Sequence, residues 1–188
     1  METQKTKTVK VGDRCFVKLL SHKAIQSRVE ELGQELRFAY ADKKPLFIVI
    51  LNGAFMFASD LVRACPIECE IQFVRLASYT GMESSGKITQ VFGMQVPIVG
   101  RHVIVVEDIV DTGRTMHHFK ENLFLSNPAS VEFVTLLLKP GTLAFPFESD
   151  YVGFELDDEF VIGYGLDLDG VARNLRDIYQ LENDQGNY

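Results

Sequence analysis

Residues 103 to 115 read Val-Ile-Val-Val-Glu-Asp-Ile-Val-Asp-Thr-Gly-Arg-Thr, a run of four β-branched residues that passes directly into carboxylates, hydroxyls and a glycine. Such a short, continuously apolar run is typical of a strand buried on both faces in a parallel sheet. Gly113 permits a tight turn and a close approach of a ligand to the backbone. The stretch therefore predicts a strand over 103–106, a binding turn after it, and a helix from Arg114 to Leu125.

The turn combines groups that bind a phosphate with groups that would repel a bare one. Backbone N–H groups, the N-terminus of the predicted helix and the hydroxyls of Thr112 and Thr115 can bind phosphate. Glu107, Asp108 and Asp111 instead call for a ligand with hydroxyl donors, a divalent cation, or both. A phosphorylated ribose meets both demands, because Glu107 and Asp108 can accept from a vicinal diol while Asp111 is free for proton transfer.

The spacing of the aspartates separates this turn from other phosphate-handling motifs. A phosphatase of the haloacid dehalogenase type has Asp-x-Asp after its strand, whereas Asp108 and Asp111 are three residues apart. The turn after 103–106 also lacks the Gly-x-x-x-x-Gly-Lys spacing of a Walker A loop. The remaining alternative is a buried strand followed by an acidic surface turn that binds nothing.

The rest of the chain alternates between strand-like and helix-like patterns. Ser21 is a candidate N-cap for a helix over 21–40, where apolar residues recur every three or four positions. Further apolar runs predict strands at 46–51, 70–76, 131–138, 151–155 and 160–163, with a second helical pattern after the first of these. This alternation indicates an α/β fold with a parallel sheet. Because ligands bind beyond the carboxyl ends of such strands, the turns after 46–51, 103–106 and 131–138 should converge.

Length, charge and hydropathy limit the class of protein. A chain of 188 residues with 46% hydrophobic content supports one domain over 1–188, with a polar tail at about 182–188. The net charge of −7 argues against non-specific nucleic-acid binding. The N-terminal ten residues are polar, and the apolar run Leu46 to Leu51 is far too short to span a bilayer. We therefore expect a cytoplasmic protein without nucleic-acid or membrane partners.

The cysteines and two histidines do not suggest a metal site. Cys15, Cys65 and Cys69 lack a second pair of ligands at zinc-site spacing, so reduced and buried thiols are expected. His117 and His118 are adjacent on the predicted helix, and neighbouring helical side chains are not expected to face one ligand.

Residues 77 to 90 are rich in glycine and hydroxyl side chains. They predict a long mobile loop, with an ordinary β-hairpin connection as the alternative.

The 103–115 stretch resembles the phosphoribosyl pyrophosphate (PRPP) motif of type I phosphoribosyltransferases, and other segments occur in the order found in hypoxanthine-guanine phosphoribosyltransferases. These segments are Leu51-Asn52-Gly53, Ser78-Tyr79, Lys139 and Phe160 to Arg173. The resemblance implies a core parallel β-sheet flanked by helices, with a small hood subdomain. It also implies PRPP and 6-oxopurine bases as substrates, Mg²⁺ dependence, and a homodimer or homotetramer.

The resemblance assigns roles to residues along the chain. Asp111 would be catalytic, and Ser78 and Tyr79 would belong to a catalytic loop. PRPP and nucleotide would be bound by Leu51, Asn52, Gly53, Glu107, Asp108, Asp111, Thr112, Gly113, Arg114, Thr115 and Arg173. The purine would be bound by Lys139, Phe160, Val161 and Asp167. The metal would be held by Asp167, Glu107 and Asp108.

Each of these assignments has its own chemistry. Lys139 can only donate, so it suits the exocyclic oxygen of hypoxanthine or guanine and disfavours adenine, but it does not exclude xanthine. Phe160 can stack on a purine face while the Val161 backbone binds the polar edge of the base. The segment around Asp167 lacks the further ligands and the closing Glu of an EF-hand. Asn52 stands where many relatives carry Lys, so a role that needs a positive side chain there is missing.

Two classes of function remain open. The first is an enzyme that transfers 5-phosphoribose from PRPP to N9 of hypoxanthine or guanine, forming IMP or GMP and pyrophosphate; xanthine and adenine are alternative bases. The second is a PRPP-sensing regulator that has lost catalysis. The net charge of −7 and the presence of Asp111 count against the regulator.

Overall fold

The computed structural model describes residues 7–78, 88–92 and 96–182. The helices of this part of the chain are α1 (His22–Tyr40), α2 (Phe55–Ala64) and α3 (Arg114–Phe124), with a short 3-10 helix at Pro140–Thr142. The strands are β1 (Thr8–Val11), β2 (Arg14–Leu20), β3 (Leu46–Leu51), β4 (Glu70–Ser78), β5 (Ile88–Phe92), β6 (His102–Val110), β7 (Ser130–Leu138), β8 (Tyr151–Glu155), β9 (Val161–Ile162) and β10 (Ile178–Leu181).

The main sheet has the order β5-β4-β3-β6-β7-β8. Strands β4, β3, β6, β7 and β8 run parallel, and β5 is antiparallel to β4. The parallel α/β fold predicted from the sequence is therefore confirmed. The carboxyl ends of β3, β6 and β7 lie side by side, because these strands are neighbours in the sheet.

Strand β6 is longer than the sequence predicts. It pairs with β7 as far as Ile109 with Leu137 and Val110 with Leu138. Glu107 and Asp108 consequently lie within the strand, and the turn begins only at Asp111. The expectation that the strand ends at residue 106 is wrong, because ladder hydrogen bonds to β7 hold the acidic residues in extended conformation.

Alternating residues of the central strands pack against helices on opposite faces. Phe47 and Val49 of β3 belong to the cluster packed with α1 and α2. Leu46 and Ile48 of the same strand belong to the cluster packed with α3. This is why the strand reads as a continuous apolar run. Helix α1 begins as predicted, since the Ser21 hydroxyl accepts a hydrogen bond from the Ala24 N–H at 3.2 Å.

A second, antiparallel sheet has the order β1-β2-β10-β9, and we call it the hood. Its small core is formed by Phe16, Ile162 and Tyr179. The strand expected at 160–163 is present as the two-residue β9, paired with β10. The hood thus brings segments from both ends of the chain over the main sheet.

Two expectations about side chains are wrong. Cys65 is buried as expected, but Cys15 is exposed on β2, where its neighbour Phe16 takes the inward position. His117 and His118 do not diverge along α3, because their rings meet edge to face with centroids 5.2 Å apart.

The ends of the predicted mobile loop form a hairpin ladder, with Ala77 opposite Thr89 and Ser78 opposite Ile88. Tyr79 and residues 80–87 lie outside the described residues, as does the polar tail after Glu182. None of the described helices has the length and apolar composition needed to cross a membrane.

Candidate active site

The predicted convergence of the three turns is confirmed at the carboxyl edge of the main sheet. Two neighbouring cavities open there. The first is lined by Glu107, Ile109, Val110, Asp111, Thr112, Gly113, Arg114, Thr115 and Met116. The second is lined by Asp108, Ile109, Asp111, Lys139, Glu159, Phe160, Val161, Leu166 and Asp167. Asp111 lines both, so it stands where two parts of a ligand would meet.

The turn that follows β6 is held by the segment after β7. The Thr142 hydroxyl donates to the Asp111 carbonyl at 3.2 Å, and the Ala144 N–H donates to the Thr112 carbonyl at 3.0 Å. Gly113 has φ of 74° and precedes the first residue of α3. The first backbone N–H groups of a helix have no partner within it, so they are available to an anion in the first cavity.

Glu107 and Asp108 are carboxylates placed in a poorly solvated position. Burial, together with the neighbouring charge of Asp108, raises the pKa of Glu107 well above its usual value. Burial also raises the pKa of Asp108 to about 6. Glu107 Oε2 is buried without a hydrogen-bond partner among the described residues. An unsatisfied buried acceptor of this kind calls for a donor or a cation from a ligand.

The turn after β3 packs directly against the carboxylate of Asp108. The peptide bond between Leu51 and Asn52 is cis. A Cβ at Gly53 would overlap the Asp108 carboxyl group, and a Cβ at Gly165 would overlap the Gly53 carbonyl oxygen. Glycine is therefore required at position 165, where φ is positive and the neighbour is backbone, and at position 53 a larger residue would have to displace the Asp108 carboxylate. The turn, β6 and the segment after β9 form one continuous wall.

Arg173 and Asp167 lie together, as expected for residues of one site, and they are paired with each other. Arg173 Nη2 is 2.6 Å from Asp167 Oδ1, and Arg173 Nη1 donates to the Gly165 carbonyl at 2.6 Å. The Gly170 N–H donates to Asp167 Oδ2 at 2.6 Å. Both groups are thus fixed beside the wall formed by Gly53 and Gly165.

The second cavity carries the residues assigned to a base. The Lys139 side chain is only 7% exposed, and its ammonium group lies 3.3 Å from Asp111 Oδ2 and 3.2 Å from Asp158 Oδ1. Phe160 is 44% exposed, which leaves its ring available for stacking, whereas Val161 is buried. One cavity is thus lined by a group that can only donate (Lys139), an aromatic face (Phe160) and a carboxylate (Asp111).

Sequence reasoning missed several residues of this region. Asp158 pairs with Lys139, and Glu159 lines the second cavity. Tyr164 and Gln26 both donate to Asp60 Oδ2 at 2.7 Å. The acidic run 157–159 was a visible signal for the first two, but residues 26, 60 and 164 are too far apart in the chain for any local pattern.

The network around Asp60 joins α1, α2 and the hood. Burial alone would raise the pKa of Asp60, yet hydrogen bonds from Tyr164, Gln26 and Arg63 hold it below its ordinary value. Tyr164 is buried and immediately precedes Gly165, which contacts the Gly53 turn. By holding Tyr164, the network therefore also holds Gly165 against the Gly53 turn.

The carboxylates at this edge have the chemistry to bind a divalent cation, although the ligand atoms of Glu107, Asp108 and Asp167 do not all lie within 4.8 Å of one another. Glu107 offers a buried oxygen without a hydrogen-bond partner in the described part of the chain, and Asp108 lies beside it. Asp167 has one oxygen engaged by Arg173 and the other by the Gly170 N–H, although each carboxylate oxygen has a second lone pair. Hard oxygen ligands of this type suit Mg²⁺.

Comparison with known proteins shows which family the chain resembles. The model of the phosphoribosyl transferase domain matches residues 18–169. The hypoxanthine-guanine phosphoribosyltransferase of Aquifex aeolicus is 39% identical over 166 residues, which cover 87% of this chain and 93% of that protein. The hypoxanthine-guanine-xanthine phosphoribosyltransferase of Tritrichomonas foetus is 41% identical over 152 residues, covering 80% and 83%.

A solved structure gives the same result at the level of the fold. The hypoxanthine phosphoribosyltransferase of Staphylococcus aureus superposes with a TM-score of 0.84 at 37% identity, covering 88% of this chain and 90% of that one. The family match, the identities and the shared fold agree with the two cavities at the carboxyl edge of the sheet. The chain belongs to the phosphoribosyltransferase family.

Proposed function

We propose that the protein transfers 5-phosphoribose from PRPP to N9 of hypoxanthine or guanine, releasing pyrophosphate and forming IMP or GMP for purine salvage. The observation that carries this proposal is the position of Asp111, which lines both cavities and lies 3.3 Å from the buried ammonium group of Lys139. A sugar phosphate in the first cavity and a base in the second would meet at this carboxylate. The two curated relatives reported above carry names for this activity.

Lys139 supports a 6-oxopurine as the base. Its ammonium group is buried and has two carboxylate partners, Asp111 and Asp158. A purine O6 could replace one carboxylate as an acceptor, whereas the amino group of adenine would place a donor against a donor. A buried, unmatched donor discriminates strongly between such bases. Phe160 would stack on the base, and the Val161 backbone and Asp167 would bind its polar edge.

The first cavity supports binding of the sugar phosphate. The 5-phosphate would be bound by the turn Thr112–Thr115 and the N-terminus of α3. Glu107 and Asp108 would accept hydrogen bonds from the ribose diol and stabilise the positive charge that develops on the ribose as pyrophosphate leaves. Asp111 would take the proton released from the purine, at N7.

The pyrophosphate end of PRPP would lie toward the wall of the site. The turn Leu51–Gly53 and Arg173 would contact it, with the backbone serving where relatives offer a lysine and this chain has Asn52. Mg²⁺, which we place at Glu107, Asp108 and Asp167, would supply positive charge that neutralises the leaving group. Ser78 and Tyr79 would cover the reaction centre and exclude water. We further propose a cytoplasmic homodimer or homotetramer of a single domain.

Xanthine is a second candidate base. The relative from Tritrichomonas foetus is named for hypoxanthine, guanine and xanthine. Lys139 can donate to the 6-oxo group that all three bases share, so the chemistry at this position does not separate them.

The experiment that tests the proposal supplies PRPP and Mg²⁺ with one base at a time, using hypoxanthine, guanine, xanthine and adenine, and follows nucleotide formation by chromatography. We expect IMP and GMP to form rapidly and AMP not to form. Binding of PRPP without product from any base would overturn the enzyme and favour the regulator. Formation of AMP would overturn the assigned role of Lys139 alone.

A further inference from the structure

A cluster of possible metal ligands lies on α3, outside the two cavities. His117, His118 and Glu121 each offer one ligand atom, and these atoms all lie within 4.8 Å of one another. His117 Nε2 is 3.8 Å from Glu121 Oε1, and His118 Nδ1 is 3.1 Å from Glu121 Oε2. The side chains of the two histidines are 29% and 28% exposed, so they are held partly inside the protein while the cluster stays open to solvent.

Two neighbouring histidines converge here because of a residue from another segment. The ring of Phe145 packs against both imidazoles, with centroids 6.0 Å from His117 and 5.7 Å from His118. The guanidinium of Arg114 also lies over the Phe145 ring, 5.7 Å from its centroid. The imidazoles are thus oriented by packing before any ligand binds, which lowers the entropic cost of binding.

A backbone carbonyl selects the tautomer of His117 that can bind a metal. His117 Nδ1 lies 2.9 Å from the carbonyl oxygen of Pro146. Because a carbonyl oxygen only accepts, Nδ1 is the nitrogen that carries the proton in the neutral ring, and Nε2 then presents its lone pair toward Glu121. A ligating histidine typically donates its other ring N–H to a carbonyl in this way. In the neutral ring the lone pair and the carboxylate oxygen that it faces repel each other, and either a proton on Nε2 or a metal ion between the two atoms removes the repulsion.

We propose that His117, His118 and Glu121 bind a transition metal ion, best matched by Zn²⁺. Two imidazole nitrogens and one carboxylate oxygen, with water in the fourth position, form a set that Zn²⁺ accepts and that Mg²⁺ does not favour. Tetrahedral Zn²⁺ requires ligand atoms roughly 3.3 Å apart, so small rotations of exposed Glu121 and the imidazoles complete the site. This site is independent of the proposed phosphoribosyl transfer.

One segment of the chain, residues 144–146, contacts both this cluster and the turn proposed to bind phosphate. The Phe145 N–H and the Ala144 N–H both donate to the carbonyl of Thr112, at 3.2 Å and 3.0 Å. Segment 144–146 therefore contacts the turn through its backbone and the histidines through Phe145 and Pro146. Metal binding fixes this segment against α3, and the expected result is a higher melting temperature of the protein in the presence of Zn²⁺.

The test is a calorimetric titration of the protein with Zn²⁺ alone, without PRPP. We expect wild type to bind Zn²⁺ at this cluster and the variants His117→Asn, His118→Asn and Glu121→Gln each to bind it at least tenfold more weakly. The matched control is the double variant Glu107→Gln, Asp108→Asn, which removes the carboxylates of the active site and should retain this binding. Circular dichroism checks that each variant is folded.

Three outcomes would overturn the site. Unchanged Zn²⁺ affinity in the three cluster variants would show that the ion binds elsewhere, and loss of binding only in the active-site double variant would place it at the catalytic carboxylates. Histidine ring resonances in the nuclear magnetic resonance spectrum of the wild type provide a readout that needs no variant. Resonances of His117 and His118 that do not move on addition of Zn²⁺ would show that the cluster is only an ion pair.

Discussion

At the residue scale, the site is a set of charges that are paired with one another until a ligand separates them. Lys139 contacts Asp111, and Arg173 contacts Asp167. Each partner is also assigned to a part of the substrate, so binding exchanges protein–protein ion pairs for protein–ligand ones. This exchange keeps buried charges compensated in both states, since an unpaired buried charge is costly.

Asp111 can be tested by an isosteric change. In Asp111→Asn the shape of the side chain is kept but its ability to take the purine proton is lost. We expect turnover to fall by about 100-fold or more, the range typical of a lost general base, while PRPP affinity changes little. Steady-state kinetics and equilibrium binding of PRPP measure the two quantities. A variant with normal turnover would remove Asp111 from the proton-transfer role.

Binding of PRPP and Mg²⁺ should release the proton that the Glu107 carboxyl group holds in the ligand-free protein. Burial and the charge of Asp108 raise its pKa well above the usual value, so the ligand-free carboxyl group retains a proton that the ligand-bound, ionised form loses. The release should be present between the lower pKa of the ligand-bound group and the raised pKa of the ligand-free group, and it should fade as the pH rises above the raised pKa. Calorimetry of PRPP and Mg²⁺ binding in two buffers of different ionisation enthalpy counts the protons.

The matched variant for this prediction is Glu107→Gln. It keeps the size of the side chain and removes its titration, so the buffer dependence of the binding enthalpy should shrink by about one proton. If the variant and wild type release the same number of protons, the released proton comes from another group or from the ligand.

At the element scale, the hood strands pack Val161 and Ile178 into the core of the main sheet, and the buried hydroxyl of Tyr164 adds a hydrogen bond to α2. Tyr164 donates to Asp60 on α2 at 2.7 Å, and the next residue, Gly165, packs against the carbonyl of Gly53. The hydroxyl therefore positions the segment that carries Asp167 and Arg173. It acts on the substrate only through these neighbours, which makes Tyr164 a positioning residue.

Tyr164→Phe should separate positioning from simple stability. Loss of a hydrogen bond to a charged group should lower the free energy of unfolding by about 2 kcal/mol, measured by urea denaturation. The KM for pyrophosphate in the reverse reaction should rise severalfold, because the wall around Gly53 and Gly165 loosens. Tyr179→Phe is the control, since Tyr179 also donates to a hood carboxylate, Asp177, at 3.2 Å. Equal changes in KM for both variants would contradict the positioning role.

At the scale of the whole molecule, the sequence predicts the main sheet far better than the hood. The central strands are buried on both faces, so each appears as an unbroken apolar run such as Leu46 to Leu51. The hood strands β1 and β2 are only half buried, with exposed and inward residues mixed, and neither was predicted. Pairing of β2 with β10 joins residues about 160 positions apart, and no local pattern reports such a contact.

The features of the candidate site likewise fall into those that the sequence predicts and those that it does not. Asp111, Gly113 and Lys139 follow predicted strands, and their convergence followed from the parallel sheet. The extension of β6 through Asp108 depends on β7, and the convergence of His117 with His118 depends on Phe145. Contacts between segments decided the features that local spacing could not predict.

The rates at which the cysteines are alkylated can measure how much ligand binding at the sheet edge stabilises the whole molecule. Cys65 is buried in the core beside α1 and α2, and burial raises the pKa of its thiol to about 11. Only the thiolate reacts with an alkylating reagent, so at pH 8 Cys65 should react when the core opens and hardly otherwise. Exposed Cys15, on the hood, should react at once.

Because PRPP and Mg²⁺ bind the folded state, they should reduce the open population by the factor 1 + [L]/Kd, where [L] is the free ligand concentration. At a free PRPP concentration of 100 times Kd, labelling of Cys65 should slow about 100-fold, whereas labelling of Cys15 should not change. Mass spectrometry of peptides resolves the two sites, as well as partly buried Cys69. Slowing of Cys15 by the same factor would mean that its thiol also reacts only after opening, which would contradict its exposed position on the hood. An unchanged rate at Cys65 would mean that its exposure arises from a local opening that leaves the bound ligand in place.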